Sequence, residues 1–164
     1  MKETLYTIPL NDAVNAGDEC PFCFIEREVE QDLLDFVLGS GSSYMESDVR
    51  EATDKAGFCR EHFKKMFDYG NTLGNGWILK THYMQINKEM KEQFKKFVPS
   101  RSGFMGMRKK GAEQENSVSA WVKEKEHSCY ICKRFADTYD RYMDTFFFMF
   151  KKDEDFKKRI LSSK

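Results

Sequence analysis

The placement of cysteine and histidine constrains this chain more than any other feature. All five cysteines fall into pairs three residues apart: Cys20-Pro-Phe-Cys23, Cys59-Arg-Glu-His62 and Cys129-Tyr-Ile-Cys132. Of the three histidines, His62 and His127 each lie within three residues of a cysteine, and only His82 stands away from them. Two side chains at that spacing, on a tight knuckle or one turn of helix, point the same way and can grip one ion.

Cys20, Cys23, Cys59 and His62 together supply three sulfurs and one imidazole. That set satisfies the tetrahedral preference of zinc and leaves no position for water, as in structural rather than catalytic centres. Thiolates select soft or borderline ions over calcium or magnesium. The segment between Cys23 and Cys59 is long for a zinc finger, but two helices folded back as a hairpin can close it. Cys129 and Cys132 read as a half site; His127, two residues before Cys129, is not at a familiar ligand spacing and is the less favoured third ligand. Three other readings compete. A Cys-Pro-Phe-Cys pair at a helix start can be a redox couple, although no strand precedes it as in a βαβ unit. Iron–sulfur ligation and buried inert thiols are the others.

The remaining residues give this knot an all-helical setting. Fifteen Phe, nine Met and seven Tyr supply the apolar material, and a third of the chain is charged, a mixture that favours helices over sheet. Residues 1–19, with Pro9, Asn11-Asp12 and Gly17-Asp18, read as an extended lead-in. Phe22, Ile25, Val29, Leu33 and Phe36/Val37 recur at helical spacing after Pro21, and Gly39 ends that helix. A short helix over 47–56, capped by Ser47, stops at Gly57, and a third follows Cys59. A long helix spans 73–98 and is closed by Pro99, with Trp77, Leu79, Tyr83, Ile86, Met90, Phe94 and Phe97 on one broad apolar face. Residues 99–117 hold no period and read as a flexible linker. Helix resumes near Ser119, a long helix follows Cys132, and Asp153 caps a last short one.

The expected fold is therefore an irregular all-α bundle of six or seven helices. It divides into a Cys3His unit (1–98), the linker (99–117) and a second helical unit (118–164). Both units begin Cys-x-x-Cys, long helix, short helix. The first then reads Gly-Phe-Cys-x-x-His, whereas the equivalent place in the second falls beyond Lys164. The expectation is a duplicated unit whose second Cys-x-x-His lies past the last residue.

Net charge is formally zero, so no global field draws the chain to nucleic acid or to an anionic membrane. The lysines at 88, 91, 95 and 96 alternate with Glu89 and Glu92 and read as a solvated face. The N-terminus lacks a signal-peptide pattern, and no apolar run approaches membrane-spanning length. The expected compartment is the cytoplasm, where thiols stay reduced. Phe146 to Phe150 is apolar all round its helix, so it lies in the core or docks a protein partner, including a second copy. His82, inside the long helix, reads as a core-edge residue. No phosphate loop, nucleophile elbow or paired acid/base carboxylates occur.

The stretches KETLYTIPLNDA, ECPFC, SYMESDVREATDKAGFCREH and SCYICKRFADTYDRYMDTFFFMFKKD resemble a bacterial family of Cys/His-rich helical proteins known as a domain of unknown function. The resemblance covers nearly all of the chain outside 99–117. It implies the CPxC…GFCxxH…CxxC pattern, continued by a further Gly-Phe-Cys-x-x-His that this sequence lacks, and it implies no activity. From the residues, the expected function is a zinc-stabilised helical interaction module. A thiol-disulfide redox protein using a Cys-x-x-Cys pair is the alternative. A zinc enzyme is least favoured, because four protein ligands leave the ion no open position.

Overall fold

The computed structural model describes residues 5–17, 20–41, 43–97 and 117–162. Among these, eight α-helices and one short 3-10 turn (Ser43–Met45) account for the regular structure, and no strand occurs. The helices are α1 (Thr7–Ala16), α2 (Pro21–Leu38), α3 (Ser47–Ala56), α4 (Arg60–Asp68), α5 (Thr72–Lys96), α6 (Ser117–Glu126), α7 (Tyr130–Lys152) and α8 (Glu154–Ser162). The linker expected over 99–117 lies outside the described residues apart from Ser117, which opens α6. Pro99 lies outside them as well. No described helix is long and apolar enough to cross a membrane.

One expectation is corrected at the start of the chain. Residues 7–16 are helical rather than extended. Pro9 sits in the first turn, where its missing N–H has no helical partner to lose. Thr7, Leu10, Ala13 and Val14 then fall on one face and are buried. Gly17, at φ 68°, ends the helix in the left-handed conformation. The turn-forming pairs Asn11-Asp12 and Gly17-Asp18 hid this short amphipathic period.

The packing resolves into two units that do not follow chain order. The first contains 1–43 and 131–164, and the second contains 44–130. In the first, Leu10, Ala13, Val14, Ile25, Val29, Tyr142, Phe146, Met149 and Phe156 form one buried cluster. Polar ties join its edges: Arg159 donates to the side-chain oxygens of Asn11 and Asn15 at 2.6 and 2.7 Å. Asp153 caps α8 as expected, its carboxylate accepting from the amides of Asp155 and Phe156. Those backbone bonds hold it below the usual carboxylate range. The aromatic run splits between inside and outside. Phe146 and Met149 are buried, while Phe147 and Phe148 are 54% and 56% exposed.

In the second unit, α5 packs on α3, α4 and α6. The face that α5 buries coincides only in part with the one its large apolar residues mark, of which Leu79, Ile86 and Met90 are half-buried. Gly74, Ile78 and His82 are buried, whereas Trp77, Tyr83, Phe94 and Phe97 stay exposed. Beside the fully buried Ile78 the inward stripe is partly polar, and α3 answers it there with polar groups. Asp54 accepts from Thr81 Oγ1 through its carboxylate (2.6 Å) and from His82 Nδ1 through its backbone carbonyl (2.9 Å). Asn71 begins α5 by accepting from the Gly74 amide, and Asn75 donates to the Met66 carbonyl at the end of α4. On α3, Ser47 is the first helical residue, and Glu46 precedes it without a side-chain cap.

Truncating Phe156, which is fully buried, is expected to cost about 3–5 kcal/mol, and Phe147→Ala less than about 0.5 kcal/mol. Urea unfolding of the two variants checks the difference. Asn71→Ala, which leaves the Gly74 amide uncapped, is expected to cost about 1 kcal/mol in the same assay.

Candidate metal centre

Each Cys/His pair straddles a helix start. Cys59 precedes α4 and His62 lies in its first turn. Cys129 and Cys132 stand in the same relation to α7, and Cys20 and Cys23 to α2. The chain is pinned there by its own backbone, the Phe63 amide donating to the Cys59 carbonyl (2.9 Å) and the Phe24 amide to that of Cys20 (3.0 Å). A helix start suits thiolate ligands, because its unpaired N–H groups and partial positive charge offset the negative charge they bring to an ion.

Two of these knuckles converge. The donor atoms of Cys59, His62, Cys129 and Cys132 all lie within 4.8 Å of one another. His62 Nδ1 lies 3.1 Å from Cys59 Sγ and 3.4 Å from Cys129 Sγ. Tetrahedral coordination at ordinary metal–ligand lengths gives S···N edges of about 3.5 Å and S···S edges of about 3.8 Å. The group is therefore already near the dimensions one ion needs. His62 and Cys129 are buried, Cys59 is partly so and Cys132 is exposed. All five cysteines are thiols, without a disulfide.

The grouping differs from the expected one. Cys59 and His62 come together as expected, but the sulfurs beside them belong to Cys129 and Cys132, the pair read as a half site. Cys20 and Cys23 are not members of the group; both are exposed, at the start of α2. Neither is His127, which is also exposed and whose Nδ1 donates to the Lys123 carbonyl one turn back (2.8 Å). His62 and Cys129 are 67 positions apart, and nothing in ligand spacing alone says which Cys-x-x-Cys a Cys-x-x-His will meet.

Gly57 is what sequence reasoning undervalued, having taken it as a helix stop. Its amide does close α3 on the Thr53 carbonyl (2.7 Å). Its carbonyl also accepts from the Tyr130 amide (2.9 Å), the first N–H of α7, so one residue joins the two knuckles directly. Its φ of 65° favours glycine, and a Cβ there would meet the His82 ring at 2.6 Å. His82 is thus a packing residue: its Nδ1–H is spent on Asp54, and its ring floors the turn that presents Cys59. Phe58, buried, continues that floor, its ring 5.5 Å from Phe63 and 6.3 Å from Tyr130.

A second tie fixes the approach to Cys129. Lys125, near the end of α6, donates to the Lys55 carbonyl at the end of α3 (2.8 Å) and pairs with Glu89 of α5 (2.8 Å). Glu89 also accepts from Gln85 and Trp121. Burial pushes the Glu89 carboxyl up, but the bonds from Lys125, Gln85 and Trp121 outweigh it and hold the group below its usual range.

A family model described as a family of unknown function (DUF6062) matches residues 1–164. No curated protein and no solved structure matches the chain.

Gly57→Ala is expected to destabilise the protein by about 1–3 kcal/mol through strain at positive φ and the clash with His82, measurable by thermal or urea unfolding. Glu89, held low when folded, stabilises the protein above the normal carboxylate pKa, and that contribution is lost as pH falls through its depressed folded value. Glu89→Gln is expected to cost about 1 kcal/mol at neutral pH and to flatten the acid limb of the stability profile. Urea unfolding across the acid range reads both effects.

Proposed function

Since the chain belongs to DUF6062, a family of unknown function, we propose from its residues that it is a helical interaction module stabilised by one structural zinc ion. Cys59 Sγ, His62 Nδ1, Cys129 Sγ and Cys132 Sγ hold that ion. The observation that carries this reading is the convergence of these four donors, from two knuckles far apart in sequence, within 4.8 Å. Three thiolates and an imidazole are a zinc set, and four protein ligands fill a tetrahedral ion. No position is left for water or substrate, so the metal's contribution is to folding rather than to chemistry. Function then rests on surface recognition. The outward aromatic side chains Phe147 and Phe148 are the apolar groups this reading offers to a protein partner.

Protein purified without added metal is expected to carry about one zinc per chain, read by elemental analysis. Chelation is expected to lower its melting temperature. Cys129→Ser and His62→Ala each lose the metal, while the Cys20→Ser/Cys23→Ser double variant keeps it. Full zinc content in Cys129→Ser and His62→Ala, or its loss from the double variant, would sink this assignment.

A further inference from the structure

Cys20 and Cys23 stand outside the Cys3His group and carry chemistry of their own. Both thiols are exposed. Pro21 occupies the first position of α2, with Cys20 just before it and Cys23 in the same turn. The Phe24 amide bonds to the Cys20 carbonyl at 3.0 Å and closes that turn. Helix geometry sets Cα atoms three apart at about 5 Å, inside the range a disulfide spans. The start of an 18-residue helix also offers partial positive charge to a thiolate formed there. Tyr139 lies within electrostatic range of both sulfurs. Burial first, then the negative charge of Glu26, Cys20 and Cys23, holds its phenol above its usual value.

We propose that Cys20 and Cys23 form a redox-active dithiol that reduces small-molecule disulfides. The Cys20 thiolate attacks one sulfur of the disulfide R–S–S–R, forming a mixed disulfide and releasing one RS⁻. The Cys23 thiolate then attacks the Cys20 sulfur, closing the Cys20–Cys23 bond and releasing the second RS⁻. Two electrons pass from the pair to the substrate disulfide, and the two protein protons leave to solvent or to the released thiolates. This site is separate from the proposed zinc centre and does not depend on it.

The test uses the whole chain and an aryl disulfide, 5,5′-dithiobis(2-nitrobenzoate), with metal content measured in parallel. Wild type is expected to release about two aryl thiolates per chain in its fast phase, and peptide mass mapping then shows a Cys20–Cys23 bond that dithiothreitol reopens. Cys23→Ser is expected to release about one and keep the adduct on Cys20, and Cys20→Ser to slow the fast phase at least about tenfold. Separate aryl adducts on Cys20 and Cys23 without closure would overturn the proposal. So would unreactive sulfurs at these positions, or a loss of metal on substituting them. Should the protein carry no metal, Cys59, Cys129 and Cys132 would react too, yet the peptide map still scores the Cys20–Cys23 bond by itself.

Discussion

One backbone hydrogen bond sets the register on which the Cys3His group depends: the Tyr130 amide donating to the Gly57 carbonyl. It joins the residue two before Cys59 to the residue after Cys129, so the two knuckles face one another before any side chain is considered. The α7 N-terminus needs a partner for its first N–H, and the turn after α3 needs one for its carbonyl; each answers the other. Glycine alone can sit in that turn at φ 65° with the His82 ring against its Cα. His82 is in turn held by the Asp54 carbonyl, and α6 is aimed by Lys125 on Lys55 and Glu89. The sulfurs and the imidazole are the outer layer of a scaffold built from main-chain contacts and one buried histidine.

Much of this was legible in the residues. The all-helical character, the C-terminal ends of α2 and α3 and the Asp153 cap follow from periodicity and glycine placement, and the meeting of Cys59 with His62 follows from their spacing. The first helix was not legible, because Pro9 and two turn-forming pairs overlie its four buried positions. The partner of Cys59-x-x-His62 was not legible either. Spacing within a knuckle is a local property, fixed by a single turn. Which knuckles meet is decided by how α3 to α6 pack, through contacts such as Trp121 to Glu89 that have no sequence signature.

The long helix α5 shows the same limit from the other side. Hydrophobicity marks Trp77, Leu79, Tyr83, Ile86, Met90, Phe94 and Phe97 as its inner face, yet of these only Leu79, Ile86 and Met90 are half-buried, and the fully buried stripe runs through Gly74, Ile78 and His82. A helix turns its bulky residues inward only when its neighbours leave room for them. Here α3 approaches with Asp54, whose carboxylate and carbonyl call for donors, and Thr81 and His82 supply them. Polar satisfaction shapes that contact beside the buried Ile78. Trp77, Tyr83, Phe94 and Phe97 are left exposed.

The wide sequence separation of His62 and Cys129 has a thermodynamic corollary. An ion held as proposed would cross-link points distant along the contour and remove chain entropy from the unfolded ensemble, by about 4 kcal/mol on the loop-closure model for a ring of this size. Because that term grows only logarithmically, doubling the ring would change it by about 0.6 kcal/mol. The stretch between α5 and α6 could therefore be lengthened or shortened with little effect on the proposed clasp, whereas a shift of one residue within either knuckle would unmake it.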